Sequence, residues 1–170
     1  MKILVCGFMG AGKTTFINNS GAPEVIDLDE YLLSNSEVRC FGTISEFIKV
    51  SGIDSFRHLE FVMLRDHLLF EKGDQMIGLG GGTLENQEVR DLIEISEDVK
   101  LVWLDTPFDT CFSRIEGDES RPLAASRTKE ELLELYWSRL SHYQKADLVI
   151  SVENIKKLQK FEDLKQALYT

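Results

Sequence analysis

The sequence predicts an α/β fold: a five-stranded parallel sheet with helices on both faces. Short apolar runs alternate with longer segments of helical periodicity along the 170 residues, which is the order of βαβ units. The first run, Ile3-Leu4-Val5-Cys6, contains no polar residue, as is typical of a strand that is buried on both faces. The length suits one core, so we expect a single domain over residues 1–170.

The strands are predicted from short, largely apolar runs, and the helices from capping residues and apolar faces. The predicted strands cover residues 3–6, 24–27, 75–79, 99–104 and 148–150. The predicted helices cover residues 13–19, 43–50, a longer segment capped by Asp54 or Ser55, 85–95, a segment with Pro107 in its first position, 128–145 and the C-terminal end. The polar segment 116–127 contains Gly117 and Pro122, which predicts a loop.

Charge and composition limit the classes of partner. Nineteen Lys and Arg residues stand against 29 Asp and Glu residues, which gives a net charge of −10 and offers no basic stripe to a nucleic acid. No apolar run reaches the roughly eighteen residues of a membrane span. Three separate cysteines fit the reduced thiols of a cytoplasmic protein. We therefore expect a cytoplasmic monomer that binds anionic ligands through a few local cations, without nucleic-acid or membrane partners.

The strongest functional signal is Gly7-Phe8-Met9-Gly10-Ala11-Gly12-Lys13-Thr14, which matches the phosphate-binding P-loop pattern. Glycines let backbone N–H groups converge on phosphate oxygens, and the helix that follows adds its N-terminal dipole. Lys13 can meet the outer phosphates, and Thr14 can hold Mg²⁺. A chance glycine turn is the simpler interpretation. Because the segment follows a strand and opens a helix, it predicts binding of a nucleoside triphosphate.

Asp27-Leu28-Asp29 lies at the carboxyl end of the second predicted strand, on the ligand side of an open α/β sheet. In an extended chain the two carboxylates point the same way, so one could serve Mg²⁺ and the other an acceptor. The alternative is a helix start in which Asp29 is the N-cap.

Four further features each have a plain structural interpretation. Arg57 and Glu60 could form a surface pair, and Arg139 could lie on an amphipathic surface. Arg121 could be a solvated charge in the polar loop. Gly80-Gly81-Gly82 could be a turn, although three glycines suit a close approach of the backbone to a ligand.

Taken together, these features resemble the shikimate kinase family, whose members are P-loop kinases of the nucleoside-monophosphate-kinase type. The resemblance covers about residues 3–150 and rests on the order of the motifs. In chain order these are the P-loop, Asp27-Leu28-Asp29, Gly52 with Phe56-Arg57 and Glu60, Gly80-Gly81-Gly82, Arg121-Pro122-Leu123, and Arg139 with Tyr143 and Ala146. The resemblance implies that the γ-phosphoryl group of ATP is transferred to the 3-hydroxyl of shikimate. It also implies a small acceptor-binding subdomain over about residues 28–61 and a lid over about residues 116–127.

The resemblance further implies roles for individual residues, with ATP and Mg²⁺ as cofactors. The implied catalytic residues are Lys13, Asp29 and Arg121. The implied nucleotide contacts are Gly10, Ala11, Gly12, Lys13, Thr14, Thr15, Arg114 and Arg121, and the implied Mg²⁺ ligands are Thr14 and Asp27. The implied shikimate contacts are Asp29, Arg57, Glu60, Gly80, Gly81, Gly82 and Arg139. Within the last set, Arg57 and Arg139 would grip the carboxylate and Glu60 would orient Arg57.

Several positions depart from the family pattern. The segment from Lys13 to Asp27 is about one helical turn short, which predicts a short first helix. Ile53 stands where an acidic residue is frequent, and Ser141 replaces a proline. Ile150-Ser151-Val152 lacks the aspartate of the adenine loop, so the contacts to the base stay open.

Two functions other than shikimate phosphorylation stay open from the sequence. A related kinase acting on gluconate would also meet a carboxylate and hydroxyls, although the triple glycine and the aspartate pair favour shikimate. A non-catalytic nucleotide-binding module would be expected to lack Lys13, Asp29 or Arg121, and all three are present.

Overall fold

A computed structural model describes residues 1–117 and 126–169. Its centre is a five-stranded sheet in which every pairing is parallel and the strand order is β2-β3-β1-β4-β5. The strands are β1 (Lys2–Cys6), β2 (Glu24–Asp27), β3 (Gln75–Gly78), β4 (Val99–Asp105) and β5 (Leu148–Ser151). The predicted α/β fold with five parallel strands is confirmed.

Helices connect the strands and pack against the sheet. They are α1 (Lys13–Asn18), α2 (Leu28–Ser34), α3 (Ser36–Arg39), α4 (Ile44–Ser51), α5 (Ile53–Phe70), α6 (Gln87–Ile95), α7 (Phe108–Ile115), α8 (Lys129–Tyr143) and α9 (Phe161–Leu168). A 3₁₀ turn, Thr83–Glu85, precedes α6. The first helix has only six residues, as the short segment before β2 predicts. None of the helices in the described part of the chain is long and apolar enough to cross a membrane.

The central strand β1 is buried along its whole length. Ile3, Leu4 and Val5 have no exposed surface, and burial of such a side chain stabilises the fold by about 1.5–3 kcal/mol. Lys2 is buried as well, and its ammonium group donates a hydrogen bond of 2.7 Å to the carbonyl oxygen of Leu68. An apolar run without alternation therefore becomes the middle of the sheet.

Both predicted capping threonines are confirmed. The Thr128 hydroxyl accepts the N–H of Glu131 at 3.2 Å, and the Glu131 carboxylate accepts the N–H of Thr128 at 2.8 Å. The Thr43 hydroxyl accepts the N–H of Glu46 at 3.1 Å. Each cap contributes about 1 kcal/mol, so local sequence defines where α4 and α8 begin.

The start of α5 differs from the prediction. The helix begins at Ile53, directly after Gly52, and no side chain caps it. Gly52 has a φ of 86°, a left-handed conformation that glycine adopts at little cost. The expectation that Asp54 or Ser55 caps this helix is therefore wrong: the glycine turn already sets the helix start.

Two other helix starts also lie later than predicted. The helix α7 begins at Phe108, because Pro107 occupies the N-cap position. The helix α6 begins at Gln87, after the 3₁₀ turn, where the Asn86 side chain accepts the N–H of Glu88 at 2.9 Å.

Candidate active site

The carboxyl ends of three neighbouring strands bring the predicted motifs together. The strand β1 leads into the P-loop at residues 7–14, β2 ends at Asp27, and β3 is followed by Gly80-Gly81-Gly82. Because these strands are adjacent and parallel, their carboxyl ends lie on one edge of the sheet. This is the edge where open α/β sheets bind ligands.

The P-loop backbone has a shape that requires glycine. Gly10 and Gly12 have φ values of 79° and 93°, in the left-handed region. A Cβ atom at Gly10 would also lie 2.5 Å from the carbonyl oxygen of Cys111 on α7. The Thr106 hydroxyl donates to the carbonyl oxygen of Ala11 at 3.2 Å, so the loop is anchored to the end of β4.

Two cations lie beside this loop. The Lys13 ammonium donates to the carbonyl oxygens of Gly7 at 2.9 Å and Phe8 at 3.2 Å, which holds its charge against the loop. Arg114 on α7 donates to the carbonyl oxygen of Gly10 at 2.9 Å, and its side chain is exposed. Thr15, an uncharged residue among the predicted nucleotide contacts, is exposed in the first turn of α1. Both cations are therefore held at the loop that is predicted to bind phosphates.

Thr14 and Asp27 form a pair of oxygen donors next to the P-loop. The Thr14 hydroxyl donates to Asp27 Oδ2 at 2.8 Å, and hydroxyl and carboxylate oxygens are ligands that Mg²⁺ accepts. Within residues 1–117 and 126–169, no group of three or more His, Cys, Asp and Glu side chains could hold a metal ion. A magnesium ion at this pair would therefore complete its shell with phosphate oxygens and water.

Asp27 also begins α2. Its Oδ1 atom accepts the N–H of Asp29 at 3.1 Å, so Asp27 is the N-cap of this helix. The alternative that Asp29 is the cap is therefore wrong, and so is the expectation that the two carboxylates lie on one extended segment. The first helical turn instead brings Asp29 Oδ1 to 3.1 Å from the position that a Cβ atom of Gly80 would occupy. Asp29 is exposed there, beside the triple glycine.

The two predicted clamp arginines converge on one carboxylate, that of Glu85. Arg139 Nε donates to Glu85 Oε1 at 2.9 Å, and Arg139 Nη2 lies 3.3 Å from Glu85 Oε2. Arg57 Nη2 donates to the same Oε2 atom at 3.0 Å. Arg57 comes from α5 and Arg139 from α8, and the Arg139 side chain is only 5% exposed. The interpretations of Arg57 and Glu60 as a surface pair and of Arg139 as part of an amphipathic surface are therefore wrong.

Glu60 holds Arg57 from the opposite side. Its Oε2 atom accepts a hydrogen bond of 2.7 Å from Arg57 Nη1, and its Oε1 atom accepts one from the Thr83 hydroxyl. The Glu60 side chain has no exposed surface. Burial raises the pKa of Glu60 above its ordinary value, although the neighbouring charge of Arg57 lowers it. Glu60 therefore lies where the family resemblance expects a residue that orients Arg57.

The triple glycine leaves room for these charged groups. A Cβ atom at Gly82 would overlap the Arg57 guanidinium and would lie 2.7 Å from Arg139 Nη2. At Gly81 it would lie 3.4 Å from Arg139 Nη1. The buried Tyr143 hydroxyl donates to the carbonyl oxygen of Gly81 at 2.5 Å, which fixes this turn against α8.

Sequence reasoning missed two members of the site. Glu85 and Thr83 belong to the 3₁₀ turn that follows the glycines, and both contact predicted site residues. The signal in the sequence was only that Glu85 stands three positions after the glycine run, which the family resemblance assigns to the acceptor site. Arg121, also expected at the site, lies outside the described residues, as do positions 118–125 of the expected lid.

Comparison with known proteins gives a consistent result. Residues 9–169 match the family model described as shikimate kinase. The shikimate kinase of Staphylococcus aureus strain MRSA252 is 33% identical over 144 residues, which cover 83% of this chain and 78% of that protein. The shikimate kinase of strain JH9 is 32% identical with the same coverage.

Solved structures resemble the whole chain. The shikimate kinase of Bacteroides thetaiotaomicron is 25% identical, with a TM-score of 0.77 and coverage of 100% of this chain and 99% of that one. A shikimate kinase from Acinetobacter baumannii, solved in complex with shikimate, has a TM-score of 0.80 at 24% identity and covers 99% of this chain and 92% of its own. A deoxyadenosine kinase from M. mycoides has a TM-score of 0.59 at 16% identity, with 99% and 98% covered. For the last two structures the likeness concerns the fold alone.

Proposed function

The chain belongs to the shikimate kinase family, and we propose that its site transfers the γ-phosphoryl group of ATP to the 3-hydroxyl of shikimate, giving shikimate 3-phosphate and ADP. The observation that carries this proposal is the convergence of Arg57 and Arg139 beside the P-loop edge of the sheet. Two guanidiniums from different helices, aimed at one carboxylate oxygen, suit an acceptor that is itself a carboxylate.

On the nucleotide side, the P-loop supplies position and charge. The P-loop leads into the N-terminus of α1, whose first backbone N–H groups favour phosphate oxygens. Lys13 would exchange its contacts with Gly7 and Phe8 for the transferring phosphoryl group and would stabilise the charge that develops on it. Arg114 would contact the nucleotide beside Gly10. Phosphoryl transfer depends mainly on such positioning and electrostatic stabilisation.

On the acceptor side, Arg57 and Arg139 would bind the carboxylate, and Gly80, Gly81 and Gly82 would border it. Asp29 would accept a hydrogen bond from the 3-hydroxyl and take its proton as the oxygen attacks the γ-phosphorus. The new P–O bond forms to shikimate while the bond to the β-phosphate oxygen breaks, and ADP leaves with that electron pair. The exposed position of Asp29 beside Gly80 supports this role.

Magnesium is part of the same proposal. Thr14 and Asp27 would hold the ion, and the Thr14 hydroxyl lies 2.8 Å from Asp27 Oδ2, so the residues present fit a hard cation. When bound, Mg²⁺ neutralises charge on the β- and γ-phosphates.

The remaining parts of the proposal concern the chain as a whole. Residues 28–61 would form the acceptor-binding subdomain, and residues 116–127 would form a lid that brings Arg121 to the phosphates and excludes water. We also expect a cytoplasmic monomer. The excess of acidic residues and the absence of a basic stripe support small-molecule partners over a nucleic acid.

The test is a coupled assay of ADP release from ATP and Mg²⁺ with shikimate, with gluconate and without acceptor. We expect turnover with shikimate and only background release in the other two reactions. Turnover with gluconate alone would replace shikimate by the related sugar acid, and identical release in all three reactions would contradict a shikimate kinase.

A further inference from the structure

The carboxylate clamp, defined as Arg57 with Arg139, already holds a carboxylate of the chain itself. Both oxygens of Glu85 are engaged: Oε1 by Arg139 Nε at 2.9 Å, and Oε2 by Arg57 Nη2 at 3.0 Å and Arg139 Nη2 at 3.3 Å. The two contacts with Arg139 form the side-by-side arrangement that makes arginine–carboxylate pairs strong and directional.

Glu85 therefore uses the donors that a bound carboxylate would need. Arg57 Nη1 is engaged by Glu60 at 2.7 Å, so Glu85 takes the other terminal nitrogen of Arg57 and the Nε–Nη2 edge of Arg139. A second carboxylate at the same donors would also stand in contact with the first, and like charges at contact distance repel. An acceptor carboxylate that binds these same donors consequently excludes the Glu85 carboxylate.

The two acidic partners of Arg57 differ in their freedom to leave. Glu60 has no exposed side-chain surface, whereas 36% of the Glu85 side chain is exposed. Burial raises the pKa of Glu85, but the hydrogen bonds and charges of Arg139 and Arg57 outweigh it and hold the pKa below its ordinary value. Glu85 is thus ionised at neutral pH and borders solvent into which its side chain can rotate.

The backbone beneath Glu85 is fixed separately from its side chain. Arg90 Nη1 donates to the carbonyl oxygens of Leu84 at 2.5 Å and Glu85 at 2.9 Å. Asn86 Nδ2 donates to the carbonyl oxygen of Arg57 at 3.2 Å. Release of the carboxylate therefore requires side-chain rotation and leaves the 3₁₀ turn in place.

We propose that Glu85 is a specificity-determining residue: its carboxylate occupies the clamp in the substrate-free enzyme, and the carboxylate of the acceptor must displace it. This inference rests on the proposed function of the same site. The exchange conserves charge, because one carboxylate replaces another between the same two guanidiniums. Neither arginine is left uncompensated before binding, which would be costly for Arg139 in its buried position.

The exchange has a consequence for selectivity. A small anion that offers only a carboxylate gains little from displacing Glu85, because it replaces equivalent contacts. Shikimate also brings ring hydroxyls to the Asp29 side of the site, so it can displace Glu85 with a net gain. Glu85 therefore keeps simple carboxylates out of the clamp at the cost of weaker shikimate binding.

The test compares Glu85→Gln and Glu85→Ala with the wild-type enzyme. A neutral side chain no longer competes, so we expect the KM for shikimate to fall about tenfold, equivalent to one net charge-assisted contact. The kcat and the KM for ATP should stay unchanged. Cyclohexanecarboxylate, which lacks the hydroxyls, should inhibit both variants competitively against shikimate and leave the wild type nearly unaffected.

The direction of the change in the KM for shikimate shows whether Glu85 competes with the substrate or supports the two arginines. If Glu85 only holds the arginines in place, its removal raises the KM for shikimate, and a raised or unchanged KM in folded variants would overturn the proposal. Thermal unfolding checks the fold of both variants. Glu88→Gln is the matched control, since it removes an exposed carboxylate in the first turn of α6 and should change neither KM nor inhibition.

Failure of the proposed function is distinguishable in the same assay. Absence of shikimate turnover in the wild type would overturn both proposals. Wild-type turnover without a lower KM in the Glu85 variants would overturn only the role of Glu85.

Discussion

The P-loop and the carboxylate clamp are the two proposed anion sites on one edge of the sheet, and they are built by opposite means. The P-loop is one continuous segment in which backbone groups would bind the anion, and its left-handed turns use Gly10 and Gly12. The clamp is made of side chains from α5 and α8, and its arginines lie 82 positions apart in the sequence. The first site is formed by local chain geometry, whereas the second exists only after the fold has assembled.

The clamp also shows how its own charge is compensated before a ligand binds. The clamp brings two guanidiniums together, and their positive charges repel each other. The carboxylates of Glu60 and Glu85 face these guanidiniums and offset the repulsion. A site assembled from charged side chains of several elements thus contains its own counter-charges.

The largest effect should come from the P-loop. Lys13→Met removes the charge nearest the transferring group, and we expect kcat to fall about 10²–10³-fold, the scale of a lost electrostatic contact in the transition state. Titration calorimetry should give an unchanged affinity for shikimate. A shikimate affinity that falls together with kcat would mean that the two anion sites are not separate.

Asp29→Asn tests the position between the two sites. If Asp29 takes the proton of the 3-hydroxyl, kcat should fall about 10²-fold. The melting temperature should hold, because Asp27 and not Asp29 caps α2. Asp54→Asn, an exposed aspartate in the first turn of α5, is the matched control. Near-normal turnover of the folded Asp29 variant would remove Asp29 from the chemistry.

Glu60→Gln addresses the internal counter-charge of the clamp. The buried carboxylate accepts hydrogen bonds from Arg57 and Thr83. A neutral amide in its place weakens the charge-assisted hydrogen bond with Arg57. We expect a loss of about 2 kcal/mol in the free energy of unfolding, measured by denaturant titration. The KM for ATP should not change, and an unchanged stability would show that Glu60 is no counter-charge.

Gly82→Ala should have the smallest effect of this series. Gly82 has a φ of −111°, which alanine also adopts, so the backbone is not strained. The added Cβ atom would displace the Arg57 guanidinium, and we expect the KM for shikimate to rise about tenfold, since small misplacements of binding groups are costly. An equal rise in the KM for ATP would show a general distortion instead.

The same contrast explains what the sequence could predict. The P-loop and the parallel sheet follow from local patterns, since glycine spacing and apolar runs are properties of short segments. The arginine pair emerged only through family resemblance, because nothing local indicates that α5 and α8 converge. Glu85 was missed since its direction depends on the 3₁₀ turn after the glycines. From the sequence alone, either aspartate could cap α2. In the structure β2 ends at Asp27, and Asp27 is the cap.

The most direct measurement is the affinity of the enzyme for shikimate and for shikimate methyl ester, by calorimetry on the wild type and on Arg139→Ala. The ester lacks the charge that displaces Glu85, so the wild type should bind shikimate at least about tenfold more tightly, a difference of about 1.4 kcal/mol. Arg139→Ala should lose most of this preference because its affinity for shikimate falls while its affinity for the ester changes little. Equal binding of acid and ester by the wild type, or an undiminished preference in the folded variant, would contradict the clamp as the site that recognises the acceptor.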